Sequence, residues 1–251
     1  LDAFVSHSKP SPIPVSTSQE VRDRGSTFSA LIYRATSAEH AASVVKHLKF
    51  VAHAQKPATH EMFAWRCMVL KHGRTGLSGR DDDFELNQGS KDDGERWGGE
   101  RILRVMQSQG VIDAVVVVSR WYGGIQLGPA RFAHIETCAQ EVCQTFVQKE
   151  QLEESVALLK SLDDILIDLR RELSDLTGST TSSQSQASGK KAVDYQAKDD
   201  FDLAKARRLV IARENSIKAV KVALTKKREE ISRKAPEEKA DSAQAEDKPS
   251  E

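Results

Sequence analysis

A leucine recurs every seventh residue at Leu152, Leu159, Leu166 and Leu173, and a second set, Ser155, Leu162, Leu169 and Leu176, keeps the same period. These are positions a and d of four heptads, a specific coiled-coil signal. Residues 149–176 are therefore expected to form a helix whose leucine seam needs a cover. A candidate cover follows in the same chain. Residues 199–234 carry Leu203, Val210, Ile217, Leu224 and Ile231 at the same spacing, with a poorer second set of Ala206, Arg213, Val220 and Lys227. The first stretch is acidic, with Glu153, Glu154, Asp163, Asp164, Asp168, Glu172 and Asp175. The second is basic, with Lys205, Arg207, Arg208, Arg213, Lys218, Lys221, Lys226, Lys227 and Arg228. Residues 177–198, mostly "TGSTTSSQSQASGKK", read as a flexible linker, and roughly two dozen such residues span ~25 Å. The expectation is an antiparallel coiled-coil hairpin within one chain. A homodimeric coil and a helix that docks on a partner are the alternatives. Residues 235–251 read as a disordered tail.

The first half of the chain has a different texture. Pro10, Pro12 and Pro14 at alternate positions oppose both helix and sheet, so residues 1–22 read as a flexible leader. Residues 26–33, "STFSALIY", read as a strand. A helix is expected next, capped by Thr36 or Ser37, with Ala41, Val44, Val45, Leu48 and Val51 on its apolar face. Residues 62–70 read as a second strand and residues 72–95 as a long, polar, mobile loop. Residues 98–109 form a second helix with Ile102, Leu103 and Met106 on one face, and residues 111–119 a third strand. Pro129 suits the first position of a third helix that runs to about residue 148. Strands and helices in that order, over residues 23–148, imply an α/β layer arrangement.

Lysine plus arginine and aspartate plus glutamate each total 37 of 251 residues, so no global field selects nucleic acid or an anionic membrane. Cys67, Cys138 and Cys143 have neither even count nor C-x-x-C spacing. That argues against a disulfide framework or a zinc site and fits a reducing, cytoplasmic setting. No apolar run approaches the ~20 residues of a membrane helix. The first residue is Leu1, which fits a fragment or a processed form.

The chemistry-bearing residues cluster in two places. "VVVVSRWYGGIQLGPARFAH" runs from the third strand into Arg120, Tyr122, Gly123, Gly124, Gly128, Arg131 and His134. Ligand groups favour the carboxyl end of such strands, and two arginines before a helix N-terminus would suit a phosphate or carboxylate. A tight strand-to-helix connection, with Trp121 and Tyr122 capping the core, explains the same residues. Asp92, Asp93, Gly94 and Glu95 before Gly98-Gly99 would suit a divalent cation, but the spacing is not that of an EF-hand. Acidic residues at a helix start account for them more simply. A His60–Asp93 acid–base pair and a Cys138–His134 nucleophile rest on spacing alone, and Cys67 has no flanking base. There is no phosphate-binding P-loop motif.

"STFSA", "ATHEMFAWR", "DDGERWGGERIL" and "SRWYGGIQLGPARFAH", in that order, resemble the marks of the Impact family's domain over about residues 22–147. The resemblance implies a two-layer α/β (α+β) sandwich of the ribosomal-protein and elongation-factor-domain type, here followed by the coiled-coil hairpin. It also implies a non-enzymatic regulator of translation without a cofactor. Such a protein would bind the ribosome-associated activator of the initiation-factor-two kinase of amino-acid starvation and restrain the kinase. Monomeric actin is a further partner that the family implies. By the same resemblance Asp93, Gly94, Glu95, Arg120, Tyr122, Gly123, Gly124, Gly128, Arg131 and His134 make a shared binding surface. The alternative is a ribosome- or nucleic-acid-binding protein using the α/β domain and the basic helix. Two features depart from the family pattern: the stretch over residues 72–91 is long, and Trp97 stands where a small residue is expected. The RWD-type domain that precedes this domain in many eukaryotic members is not recognisable before Ser26.

Overall fold

The computed structural model describes residues 11–77, 83–177, 195 and 201–245, with side chains in the last helix up to residue 233. The chain divides into two compact units, residues 1–149 and residues 150–251.

The first unit is built on one antiparallel sheet. Its strands are β1 (Ser16–Thr17), β2 (Val21–Asp23), β3 (Ser26–Arg34), β4 (His60–Leu70), β5 (Phe84–Lys91) and β6 (Ala114–Trp121). The order across the sheet is β1-β3-β6-β4-β5, with β2 also paired to β3. The valine run lies at the centre, and residues 114–120 are all buried. Its two faces serve two cores, as the period-two alternation of a strand requires. Ala114, Val116 and Val118 pack with Phe28, Ile32 and Met62 against α2 (Gly98–Ser108) and the first turns of α3 (Ala130–Thr177). Val115 and Val117 pack with Tyr33 and Cys67 against α1 (Ala38–His47). The sheet and the α2–α3 layer form the expected sandwich, and α1 closes part of the opposite face. Ser37 caps α1 by accepting the His40 amide at 3.1 Å. After His47 the helix widens into one π-type turn, Leu48–Ala52, which buries Leu48 and turns Val51 outward instead of into the core.

Two expectations for this unit need correction. The segment expected as leader contributes β1 and β2 to the sheet edge. Pairing shifts by one residue between them, and Ser18 bridges the shift: its amide donates to Ala30 O and its hydroxyl accepts the Ala30 amide at 2.8 Å. The prolines end at Pro14, so nothing opposes extended pairing beyond it. The expected long loop also contains a strand. Residues 84–91 pair with β4 from Leu70↔Phe84 to Phe63↔Lys91. β5 is an exposed edge strand, so it carries few apolar residues to betray it. Gly89 is required there because a Cβ would lie 2.5 Å from the Trp65 ring. Residues 78–82 of that loop, and residues 1–10 of the leader, lie outside the described residues.

In the second unit the leucine seam is covered as the heptads demand. Val156 and Leu159 pack with Tyr195 and Ala206, with Leu152, Phe201, Leu209 and Val210 alongside. The covering helix is α4 (Leu203–Ala245). Its direction is the reverse of the expected one. Gln151 meets Arg207, Asp163 meets Arg213 and Glu172 meets Arg228, so the two helices ascend together and the pair is parallel. Opposite net charges attract in either direction. Only a short loop would have forced the antiparallel choice, and the chain between Thr177 and Leu203 is long enough to return, at up to ~3.3 Å per residue against 1.5 Å per residue of helix. Arg213, in the weaker heptad set, donates to Asp163, which also accepts the Tyr195 hydroxyl. Residues 149–176, expected as a helix of their own, belong to α3 (Ala130–Thr177), and α4 continues through Pro236 to Ala245, where a disordered tail was expected. Alanine, glutamate and lysine dominate that extension and are strong helix formers. Residues 246–251, and the linker apart from Thr177 and Tyr195, lie outside the described residues.

Candidate functional site

Three separate motifs converge where β6 ends. Arg120 sits on β6 between two cross-strand neighbours, Phe28 of β3 and His60 of β4. Side chains directly opposite one another on one sheet face must touch. The Arg120 guanidinium accordingly lies 5.3 Å from the Phe28 ring centre and 5.2 Å from that of Tyr122, held between two aromatic faces. Its counter-ion comes from the turn before α2. Asp93 and Gly94 both adopt positive φ, 45° and 86°, which swings Glu95 back toward the sheet. Glu95 pairs with Arg120 and, at 2.7 Å, with Arg131 of α3, and His60 Nε2 stands 4.0 Å away. Glu95 and Arg120 are only 6% and 5% exposed. The two arginines read as waiting for a phosphate or carboxylate already hold one, and it is internal.

The neighbouring acids diverge instead of converging. Asp92 accepts the Trp97 and Gly99 amides at 3.0 Å each and so caps α2. Asp93 takes the Glu61 amide at 2.9 Å and Lys49 Nζ at 2.9 Å. Burial pushes the Asp93 carboxyl up, but Lys49 and the Glu61 amide outweigh it and hold it below its ordinary value. His60 Nδ1 contacts the backbone oxygen of Asp93 at 3.0 Å, so the pair imagined as acid and base is joined through the main chain. Trp97, the departure from the family pattern, takes a left-handed backbone at the helix start and exposes half its surface, with Arg96 over its ring. Gly98 and Gly99 behind it are tight: a Cβ would meet Met62 Sδ at 2.6 Å and Lys91 O at 2.5 Å.

The glycines of the other motif divide by role. Gly124 and Gly128 have φ of 85° and 58°. Gly123 is there for space: a Cβ would fall 2.0 Å from the backbone carbon of Gly25, and its amide donates to Ser26 Oγ at 3.1 Å. A strand must end against another chain reversal here, and only a residue without a side chain permits it. Gly123→Val should therefore destabilise the unit by at least ~3 kcal/mol, beyond the usual overpacking range because backbone must move. Gly124→Ala, strained but in open space, should lose about 1–2 kcal/mol. Equal losses in urea denaturation would refute this division.

Tyr122, with its amide on Thr59 Oγ1 at 3.0 Å, is 44% exposed, and Ile125 in the same loop is 54% exposed. Arg131 also donates to Gly128 O at 3.0 Å, closing the first turn of α3. His134 pairs with Asp23 at 2.8 Å, and Cys138 is buried in the core. Arg24 and His134 hold the Asp23 carboxyl down at about 2. Burial pushes the thiols of Cys67 and Cys143 up to about 11 and about 12, and that of Cys138 up as well. These are thiols of a core, not activated nucleophiles. Asp23 and Lys49 lie in no motif, while Ser26, Phe28 and Thr59 stand inside "STFSA" and "ATHEMFAWR" without having been singled out as site residues.

Residues 24–143 match the Impact N-terminal domain. This α/β unit resembles the domain of the Impact family. The Impact homologue of Saccharomyces cerevisiae is 38% identical over 124 residues, 49% of this chain and 43% of that protein. The Impact proteins of Xenopus laevis and Homo sapiens are 34% and 35% identical, over 57% and 51% of this chain and 42% and 37% of theirs. The chain thus spans about two fifths of the length of these relatives. A solved structure described as the two-domain translational regulator Yih1 is 37% identical, covering 50% of this chain and 44% of that one, with a TM-score of 0.33. A second, described as a hypothetical protein, is 24% identical over 60% of this chain and 75% of that one, with a TM-score of 0.38. No helix among the described residues is long and apolar enough to cross a membrane.

Proposed function

We propose that this chain is a non-enzymatic regulator of translation that works by protein contact. In that role it binds the ribosome-associated activator of the starvation kinase and keeps the activator from switching the kinase on. The match of residues 24–143 to the Impact N-terminal domain supports the general role. One observation about the site supports contact over catalysis. The charged motif residues Glu95 and Arg120 are spent on each other, which fixes the loop, and what that loop turns outward is Tyr122 and Ile125. Exposed aromatic and aliphatic side chains on a rigid support are what protein interfaces use as anchors.

Isothermal titration of the chain against the purified activator tests this. Binding is expected, and Tyr122→Ala should weaken it at least tenfold, the loss of one interface anchor. Ile125→Ser should weaken it with an unchanged melting temperature. Absence of binding by the wild-type chain, or full binding by both variants, overturns the reading. Monomeric actin is a second titrant for the same surface. The alternative, a ribosome or RNA contact, draws on the exposed bases of α4, Arg208, Lys218, Lys221 and Lys226. It requires a log–log salt slope of about −0.7 per phosphate contacted on single strands, which a protein interface does not show.

A further inference from the structure

One line along α3 is out of keeping with a two-stranded coil. Gln151, Leu158, Ile165 and Glu172 follow each other at seven-residue spacing beside the seam. The two ends of this line reach across to Arg207 and Arg228 of α4. Arg207, Glu214, Lys221 and Arg228 form the matching line on α4. Polar or charged pairs are what these flanking positions carry in a parallel pair, and the ends conform. The middle does not: Leu158 and Ile165 are each 45% exposed, and Ile211, one turn past Arg207 on the same side, is 58% exposed. An apolar line added beside positions a and d widens the stripe to that of a helix packed against more than one neighbour.

We propose that a second copy of this chain covers this face, the two helix pairs meeting through Leu158, Ile165 and Ile211. The charges beside the patch select that occupant. On the α3 side lie Glu154, Asp168 and Asp175, and on the α4 side Arg207, Lys218 and Lys221, all exposed. A two-fold rotation lays the acidic edge of one copy on the basic edge of the other and the apolar middle on itself, which is the self-complementarity that a closed dimer needs. A partner charged uniformly would satisfy one edge and be repelled by the other. A nucleic acid would meet acids and aliphatic side chains across half the face.

Sedimentation velocity of the full chain over a roughly hundredfold concentration range tests the proposal. The wild type should pass from monomer to dimer. L158E/I165E should stay monomeric throughout, with circular dichroism unchanged because the seam leucines are untouched. Should that variant lose helicity, K218E/K221E on the exposed basic edge gives the reading. It should weaken dimerisation at least about tenfold, and adding E154K/D168K should restore it, since like charges across the face repel and the double swap re-pairs them. A wild type that remains monomeric over the whole range overturns the proposal. So does a dimer that survives both variants.

Discussion

Glu95→Ala should destabilise the α/β unit by about 3–5 kcal/mol, because it strands a buried arginine without its counter-ion. Arg120 is held by its strand register between Phe28 and His60 and is 5% exposed, so it cannot swing out to water without leaving the sheet. The nearest remaining groups are the Phe28 and Tyr122 rings, which attract a cation but do not neutralise it. For a unit of this size the loss corresponds to a fall in melting temperature on the order of 10–20 °C. Arg131→Ala should cost far less, since that side chain is a quarter exposed and water can solvate what it leaves. The double variant Glu95→Leu with Arg120→Met separates pairing from packing. It removes both charges while keeping volume, and should recover most of the lost stability, as apolar replacements of buried ion pairs often do. Thermal and urea unfolding followed by tryptophan fluorescence measures all of these, because Trp65, Trp97 and Trp121 all belong to the first unit. A loss below ~1 kcal/mol for Glu95→Ala would show that Arg120 has another partner.

The same site marks where sequence reading succeeds and stops. The residue types at Glu95, Arg120 and Arg131 announce an ionic cluster, and the motif resemblance groups them. What no spacing discloses is that Glu95 and Arg120 are buried together. That follows from the positive φ of Asp93 and Gly94, which bends the chain back over the strand end. Elements with a buried, periodic face were legible: α2 through Ile102 and Met106, β6 through its valines, the seam through its leucines. β5 was not, because an edge strand with one exposed face needs little apolar sequence. β1 and β2 were not, because their pairing depends on Ser18 filling a place in the ladder of β3. The direction of α4 was not, since heptad periodicity is the same read either way.

That direction and the seam can be tested together. Leu159→Asp with Leu166→Asp should melt the helix pair and leave the α/β unit folded. Leu159 is fully buried against Ala206 of α4, and Leu166 is nearly as buried. Each leucine contributes roughly 1.5–3 kcal/mol through burial, and a carboxylate put in its place must also be desolvated. A helix pair has little besides its seam to set against such a loss, because most helical stability in proteins comes from packing an amphipathic face. Far-ultraviolet circular dichroism should lose the contribution of residues 150–177 and of α4, while tryptophan fluorescence and its melting temperature stay at wild-type values. Chain direction is then read by cysteine pairs in the intact seam. Gln151→Cys with Arg207→Cys should be joined within one chain by a short bifunctional thiol cross-linker, because those long side chains meet end to end across the pair. Gln151→Cys with Arg228→Cys should not, since Arg228 lies beside Glu172, some six turns further on. An antiparallel hairpin would reverse the two results. The native thiols do not interfere, as Cys67, Cys138 and Cys143 are all buried. Full helicity in the double aspartate variant would mean that something other than the leucine seam holds α3 and α4 in place.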